Sequence, residues 1–141
     1  MFEKTTSKIL LSGKEYPLRC GMQSLEKIQD KYGKFSEFEL RIWKFIPDLD
    51  KDGHIVVDDA GTVSGHFEDP DMPVLKDTLT FFVNEGEEYE GKDPTPAEEL
   101  WLAVDGMTCF ELSDILHAEF IKAFERKNTS TSPAAKTRRK K

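Results

Sequence analysis

Between Val74 and Tyr89 the chain reads VLKDTLTFFVNEGEEY, and Leu75, Leu79, Phe82 and Val83 recur at the spacing of one helix face, widened by Val74 and Phe81. A stripe this apolar predicts a helix that the other elements must cover. Asp71 is its expected cap, Pro73 fits its first turn, and Gly86 is placed to end it in a left-handed conformation. Glu85, Glu87, Glu88 and Glu90 crowd one acidic corner, in which the Glu87-Glu88 pair, like Glu98-Glu99, is expected to be a solvated face.

Earlier in the chain, Lys8 to Leu11 reads as a short strand, Ser12-Gly13-Lys14 as a turn, and Glu15 to Cys20 as the returning partner. Pro17 belongs on the open edge of that hairpin, because it cannot donate to the ladder. Met22, Leu25, Ile28 and Tyr32 give a short amphipathic helix that Gly33 stops. Ser36 and Glu39 stand at capping-box spacing and open a second helix toward Phe45, although a strand over Leu40 to Phe45 fits the mixed pattern as well. Residues 46–72 are rich in Asp and Gly. They read as an excursion with strands at His54 to Val57 and Thr62 to His66, turning over Asp58 to Gly61. Thr95 with Glu98 and Thr108 with Glu111 are two further capping boxes. They open a helix bearing Leu100, Trp101 and Val104, stopped by Gly106, and a longer one bearing Leu112, Leu116 and Phe120 that runs to about Arg126. No internal repeat is seen.

These elements make an α+β fold, predominantly α-helical, in which an N-terminal β-hairpin packs on four to five helices. Residues 1–126 form a single domain with an acidic loop or hairpin insertion at 47–72, and 127–141 form a disordered basic tail. Ten Phe among 141 residues, and a hydrophobic share of 38%, suffice for one core. No apolar run reaches the roughly 18 to 20 residues of a membrane span. The start, MFEKTTSKILLSG, is too polar for a signal peptide, so a cytoplasmic protein is expected. Cys20 and Cys109 lack metal or redox spacing and are expected as buried thiols.

Charge changes the picture. Residues 126–141 carry seven Lys and Arg and no acid, so a net charge of −7 for the whole chain leaves −14 on residues 1–125. A body so acidic argues against nucleic-acid binding by the folded part and suits a basic protein partner, or simply solubility. Asp48, Asp50, Asp52, Gly53, His54 and Asp59 fall on the places that an EF-hand-type calcium loop gives to its ligands and its glycine, with Ile55 apolar at the eighth. Against that stand Asp instead of Glu at the twelfth place and the poor helix former AGTVSG after the loop. The plainer reading is an acidic Asp-Gly turn. His54, His66 and His117 show no metal spacing, and no Ser or Cys is flanked as an activated nucleophile. No catalytic, cofactor or metal residue is therefore assigned, and no enzyme is expected.

Three stretches carry a resemblance. They are SGKEYPLRCGMQSLEKIQDKYG at residues 12–33, the apolar helix running into NEGEEY at 79–89, and the threonine-capped helix at 107–124. In their order and spacing the chain resembles the tail assembly chaperones of long-tailed bacteriophages and prophages. The acidic region from Pro47 to Met72 is not a feature of that family. The resemblance implies a binding protein without catalysis. Such a protein holds the aggregation-prone tape measure protein, helps tail tube subunits polymerise around it in the host cytoplasm, and is absent from the finished virion. Self-association is compatible with it, and many such proteins are made in a second form extended by ribosomal frameshifting. The alternative is a calcium-responsive helical binding module using residues 48–59.

Overall fold

A computed structural model of the chain describes residues 6–125; the expected tail at 127–141 lies outside them, and the last helix, expected to run to about Arg126, stops at Lys122. Two strands, β1 (Ser7–Leu11) and β2 (Lys14–Leu18), are followed by helices α1 (Met22–Tyr32) and α2 (Phe35–Ile42). Strands β3 (Lys44–Pro47) and β4 (Gly65–Glu68) come next, then α3 (Met72–Tyr89), α4 (Ala97–Ala103) and α5 (Cys109–Lys122). Among the described residues, five helices and an N-terminal hairpin make the α+β arrangement that the pattern predicts.

Helix α3 is the axis of the fold. It touches β2, α1, α2, α4 and α5. Its buried face carries Val74, Leu75, Thr78, Leu79, Phe82 and Val83. Around it close Ile28 of α1, Phe38 and Ile42 of α2, Leu100 of α4, and Leu112, Leu116 and Phe120 of α5. The hairpin covers the remaining side with Ile9, Leu11, Tyr16 and Leu18. Its register sets Lys8 opposite Pro17 and Ile9 opposite Tyr16. Residues 17 and 19 point their backbone groups away from β1, and the Arg19 N–H donates to the Phe82 carbonyl of α3 at 3.0 Å. Pro17 therefore costs no ladder bond, and the edge it occupies is sealed by α3 instead of lying open.

Several local expectations are corrected. Gly86 does not end α3. It is buried within the helix, and a Cβ built there would stand 2.9 Å from the Pro17 carbonyl carbon. The terminator is Gly91, at φ +80°. The Lys92 N–H returns to the Glu87 carbonyl at 2.7 Å and the Gly91 N–H to that of Glu88 at 3.0 Å, the paired bonds of a Schellman motif. The Glu87-Glu88 pair is solvated only at Glu88, and the acidic corner as a whole is largely turned inward. Glu85 and Glu87 are buried, while Glu88 stays in solvent. Glu85 accepts the N–H groups of Gly21 at 3.1 Å and Ser24 at 2.8 Å, and lies 3.3 Å from Arg19 Nε. It thereby caps α1, whose own N-cap residue, Gly21, offers no side chain. Glu87 accepts the Thr95 N–H at 2.8 Å and the Thr95 hydroxyl at 2.5 Å. With Thr95 so engaged, the capping box expected from Thr95 and Glu98 does not form, and α4 begins behind Pro96.

The Ser36–Glu39 box is absent too, because α2 starts two residues earlier, behind Lys34. Both readings of Leu40 to Phe45 hold in part: the helix runs through Ile42 and a strand follows from Lys44. Only the Thr108–Glu111 box forms as expected, with both reciprocal bonds present at 2.7 and 3.0 Å. Both cysteines are free; Cys20 is buried and Cys109 half-buried. Burial, reinforced by Glu85 and Glu119, pushes the Cys20 thiol up to about 12.

Candidate functional site

The sharpest motif of the sequence lies on an arm that leaves the helices at β3 and returns at β4. These two strands pair antiparallel, Lys44 opposite Glu68 and Pro47 opposite Gly65. The strand expected at His54 to Val57 reduces to single bridges, Leu49 with Ile55 and, across the expected turn at Asp58 to Gly61, Val57 with Val63, while the one expected at Thr62 to His66 is regular only from Gly65, where it is the start of β4. Between them the chain repeats itself every eight residues, contrary to the expectation of no repeat. Asp50 Oδ1 accepts the N–H groups of Asp52 and His54 at 2.9 and 3.0 Å, and Asp58 Oδ1 those of Ala60 and Thr62 at 2.9 and 2.8 Å. The Gly53 and Gly61 N–H groups close the two turns onto the carbonyls of Asp50 and Asp58. The copies are locked by a ring of three backbone bonds: Val56 donates to Asp48, Ser64 to Val56, and Asp48 to Ser64. The Asp-x-x-Gly spacing, eight residues apart, is the signal that a search for repeats of domain-like length passes over.

Residues 48–59 are thus one and a half turns of a small β repeat, entered from a strand and left by a turn, without the flanking helices of an EF-hand. Side-chain ligand atoms of Asp50, Asp52 and His54 all lie within 4.8 Å of one another and are exposed. Asp48 is turned to the Ser64 hydroxyl at 2.8 Å, and Asp59 does not join the cluster.

The arm shelters little of its own apolar surface. Ile46, Leu49, Ile55, Val56, Val57, Val63 and Phe67 are all exposed. At its base the rings of Trp43, Phe45 and Phe67 pack together, with centroids 5.1 to 5.9 Å apart. His117 of α5 stacks flat on Trp43 at 4.1 Å, and its Nε2 lies 2.7 Å from Glu39 Oε2. Trp43 Nε1 donates to Asp114 at 3.0 Å. The imidazole therefore serves to pin the arm to α2 and α5. Below the arm, Lys44 and Arg41 both hold Asp71, and their hydrogen bonds, that from Lys44 foremost, keep its carboxyl below the usual carboxylate range.

A second apolar surface opens between α1 and the end of α5. It is a groove of about 570 Å³ lined by Met22, Leu25, Glu26, Gln29, Phe35, Ala123 and Phe124. Met22, placed by its spacing on the inner face of α1, is 81% exposed, and Phe124 is 51% exposed. The chain spends no core contact on Met22 because α1 starts at the rim of the molecule, where Glu85 rather than a hydrophobic neighbour holds it. Of the large aromatics, Phe82 and Phe120 are buried, Phe81, Trp43 and Trp101 are half-buried, and Phe110 and Phe124 are exposed.

Among the described residues no helix is long and apolar enough to cross a membrane. No family model, curated protein or solved structure matches the chain.

Proposed function

We propose that the protein is a tail assembly chaperone of a long-tailed bacteriophage or prophage, which binds the tape measure protein and assists assembly of the tail tube without catalysis. The observation that carries this reading is the groove between α1 and α5, where large apolar side chains line a concavity that no other described residue fills. A chaperone of an exposed helical client needs such a surface. The resemblance in the order of hairpin, helix and threonine-capped helix supports it, and so does a body charge of −14, which keeps a loaded complex soluble. On this reading the protein works in the host cytoplasm, touches tail tube subunits as well, and is missing from purified virions. Co-expression tests it. A tape measure fragment that is insoluble alone is expected to become soluble, and to co-purify, when this chain is made beside it. A fragment that stays in the pellet at equal expression would overturn the reading, as would a gene neighbourhood lacking a long tape measure gene downstream.

A second reading, a calcium-responsive binding module, has the closeness of Asp50, Asp52 and His54 in its favour. Calorimetric titration of the chain with calcium is expected to show no heat and no rise in Tm, since two turn-forming N–H groups already occupy one Asp50 oxygen. Saturable heat with a Tm gain that Asp50→Ala abolishes would move the function to the arm.

A further inference from the structure

We propose that the groove between α1 and α5 is the seat of a basic amphipathic helix supplied by the client chain. That the client is a tape measure protein rests on the chaperone reading above; the chemistry of the seat does not.

The groove is preformed on one side and adaptable on the other. Phe35 meets Phe124 edge-on at 5.6 Å and Phe120 at 6.2 Å, and Phe120 meets Phe124 at 5.2 Å, so the aromatic wall is held by the core behind it. Met22 forms the opposite lip, and an unbranched thioether repacks around differently shaped side chains. Both walls are helical, and neither offers a free strand edge. The occupant that such walls accept is a helix laid between them, inserting apolar residues from successive turns. The 11 residues of α1 extend about 16 Å, enough to meet three such turns.

Charge selects the kind of helix. Glu26 lies in the groove and Asp30 follows one turn later on the same side of α1. Glu125 stands just past α5, beside Phe124. These three acids are exposed, and no ion pair or side-chain hydrogen bond holds any of them among the described residues. The cations at the near end are engaged: Arg19 with Glu85 and over the Tyr89 ring, Lys122 with Ser7 and Glu119. Glu26 is the charged side chain that lines the groove itself, and with Lys34 beside Phe35 set against Glu26, Asp30 and Glu125 the unspent charge around it is, among the described residues, net negative. An apolar floor between uncompensated carboxylates fits a helix with leucine-like residues on one face and Lys or Arg at its flanks, and repels an acidic one.

Fluorescence anisotropy with the full chain tests this, using three labelled peptides of about 18 residues. One carries Leu on one face and Lys and Arg on the other; a second carries Glu in place of the cations; a third is the basic peptide scrambled. The basic helix is expected to bind at least about tenfold tighter than either of the others, and to weaken about fivefold or more when NaCl is raised to about 0.5 M. Met22→Glu, at a site exposed enough to leave the fold intact by circular dichroism, is expected to cut its affinity about tenfold, as is Phe124→Glu. Joint replacement of Glu26 and Asp30 by Lys should cost several-fold, while Phe67→Glu on the arm should change nothing. Equal affinity for basic and acidic peptides, or binding that survives Met22→Glu, overturns the proposal. So does a dimer that Phe124→Glu converts to monomer, because a second copy is then the occupant. An about tenfold gain on deleting residues 126–141 overturns it as well, the chain's own basic end being the occupant in that case. The two readings fail separately. If Met22→Glu still keeps the tape measure fragment soluble, the groove is the wrong seat and the chaperone stands; if the peptides behave as stated and the fragment stays insoluble, the reverse holds.

Discussion

Glu85→Ala is expected to destabilise the protein by about 2–4 kcal/mol and to lower Tm by about 10 °C, although Glu85 belongs to a run of acids that reads as surface. Its carboxylate is the cap of another helix. Removing it strands the Ser24 N–H, which is fully buried, and leaves the Gly21 N–H and Arg19 without their acceptor. Each buried donor left unmet costs about 1–3 kcal/mol, and the loss of charge at the positive end of α1 adds a fraction more. Glu85→Gln keeps the Oε1 acceptor that both N–H groups share and loses only the ion pair with a partly exposed Arg19, so less than half the loss is expected. Gly21→Ala should resemble Glu85→Ala. A Cβ at Gly21 would stand 2.1 Å from Glu85 Oε2 and must expel the carboxylate from its place. Thermal unfolding of the three variants checks this, and a Glu85→Ala protein melting within about 2 °C of the parent would show that water replaces the carboxylate.

How much of this was legible in the sequence depends on whether the deciding contact is local. The stripe of Leu75, Leu79, Phe82 and Val83 located α3 and its central place, because burial of one face follows from spacing alone. The hairpin turn at Ser12-Gly13 and the Thr108–Glu111 box were legible for the same reason: all their partners lie within four residues. Thr95–Glu98 has the same local signature and fails, since Glu87, eight residues back, takes the threonine. Glu85 and Glu87 could not be told from Glu88 by composition. What separates them is a Ser24 N–H sixty-one residues away and the approach of β2. On the arm the turn over Asp58 to Gly61 stands where the pattern places it, closed by the Gly61 N–H on the Asp58 carbonyl. The strands beside it are shorter than expected, because a second Asp-Gly turn at Asp50 to Gly53 and the Asp58 turn leave only single bridges between them, and regular pairing resumes at Gly65. The groove was legible only in its parts. Met22 and Phe124 fit helix faces, and spacing does not tell a face turned to the core from one turned to a partner.

Gly86 is where the sequence reading and the structure differ with the greatest consequence, and substitutions there are expected to separate two roles for glycine. As a helix terminator, Gly86 would be sensitive to backbone conformation; as a contact site, it is sensitive to volume. The space is decisive. A Cβ would approach the Pro17 carbonyl carbon to 2.9 Å and its oxygen to 3.0 Å, and these are backbone atoms of a strand already tied to α3 by the Arg19–Phe82 bond. Gly→Ala in a helix interior gains about 1 kcal/mol of propensity. Overpacking against an unyielding backbone costs about 1–3 kcal/mol, so Gly86→Ala should be destabilising on balance by up to about 2 kcal/mol. Gly86→Val adds two methyl groups beyond that Cβ, with a less favourable helix propensity than alanine, and is expected to cost about 3 kcal/mol or more. The injury should fall on the hairpin: amide exchange at Arg19 should accelerate with each added carbon, while Leu79 and Leu116, deeper in the helical core, should change only with global stability. Gly91→Ala serves as the contrast. It has open space around it and a positive φ, so it should lose about 1–2 kcal/mol through strain with no selective effect on the hairpin. A Gly86→Ala protein as stable as the parent, with Arg19 exchange unchanged, would mean that α3 and β2 have room to part. The tight seating of the hairpin on the central helix would then have to be given up.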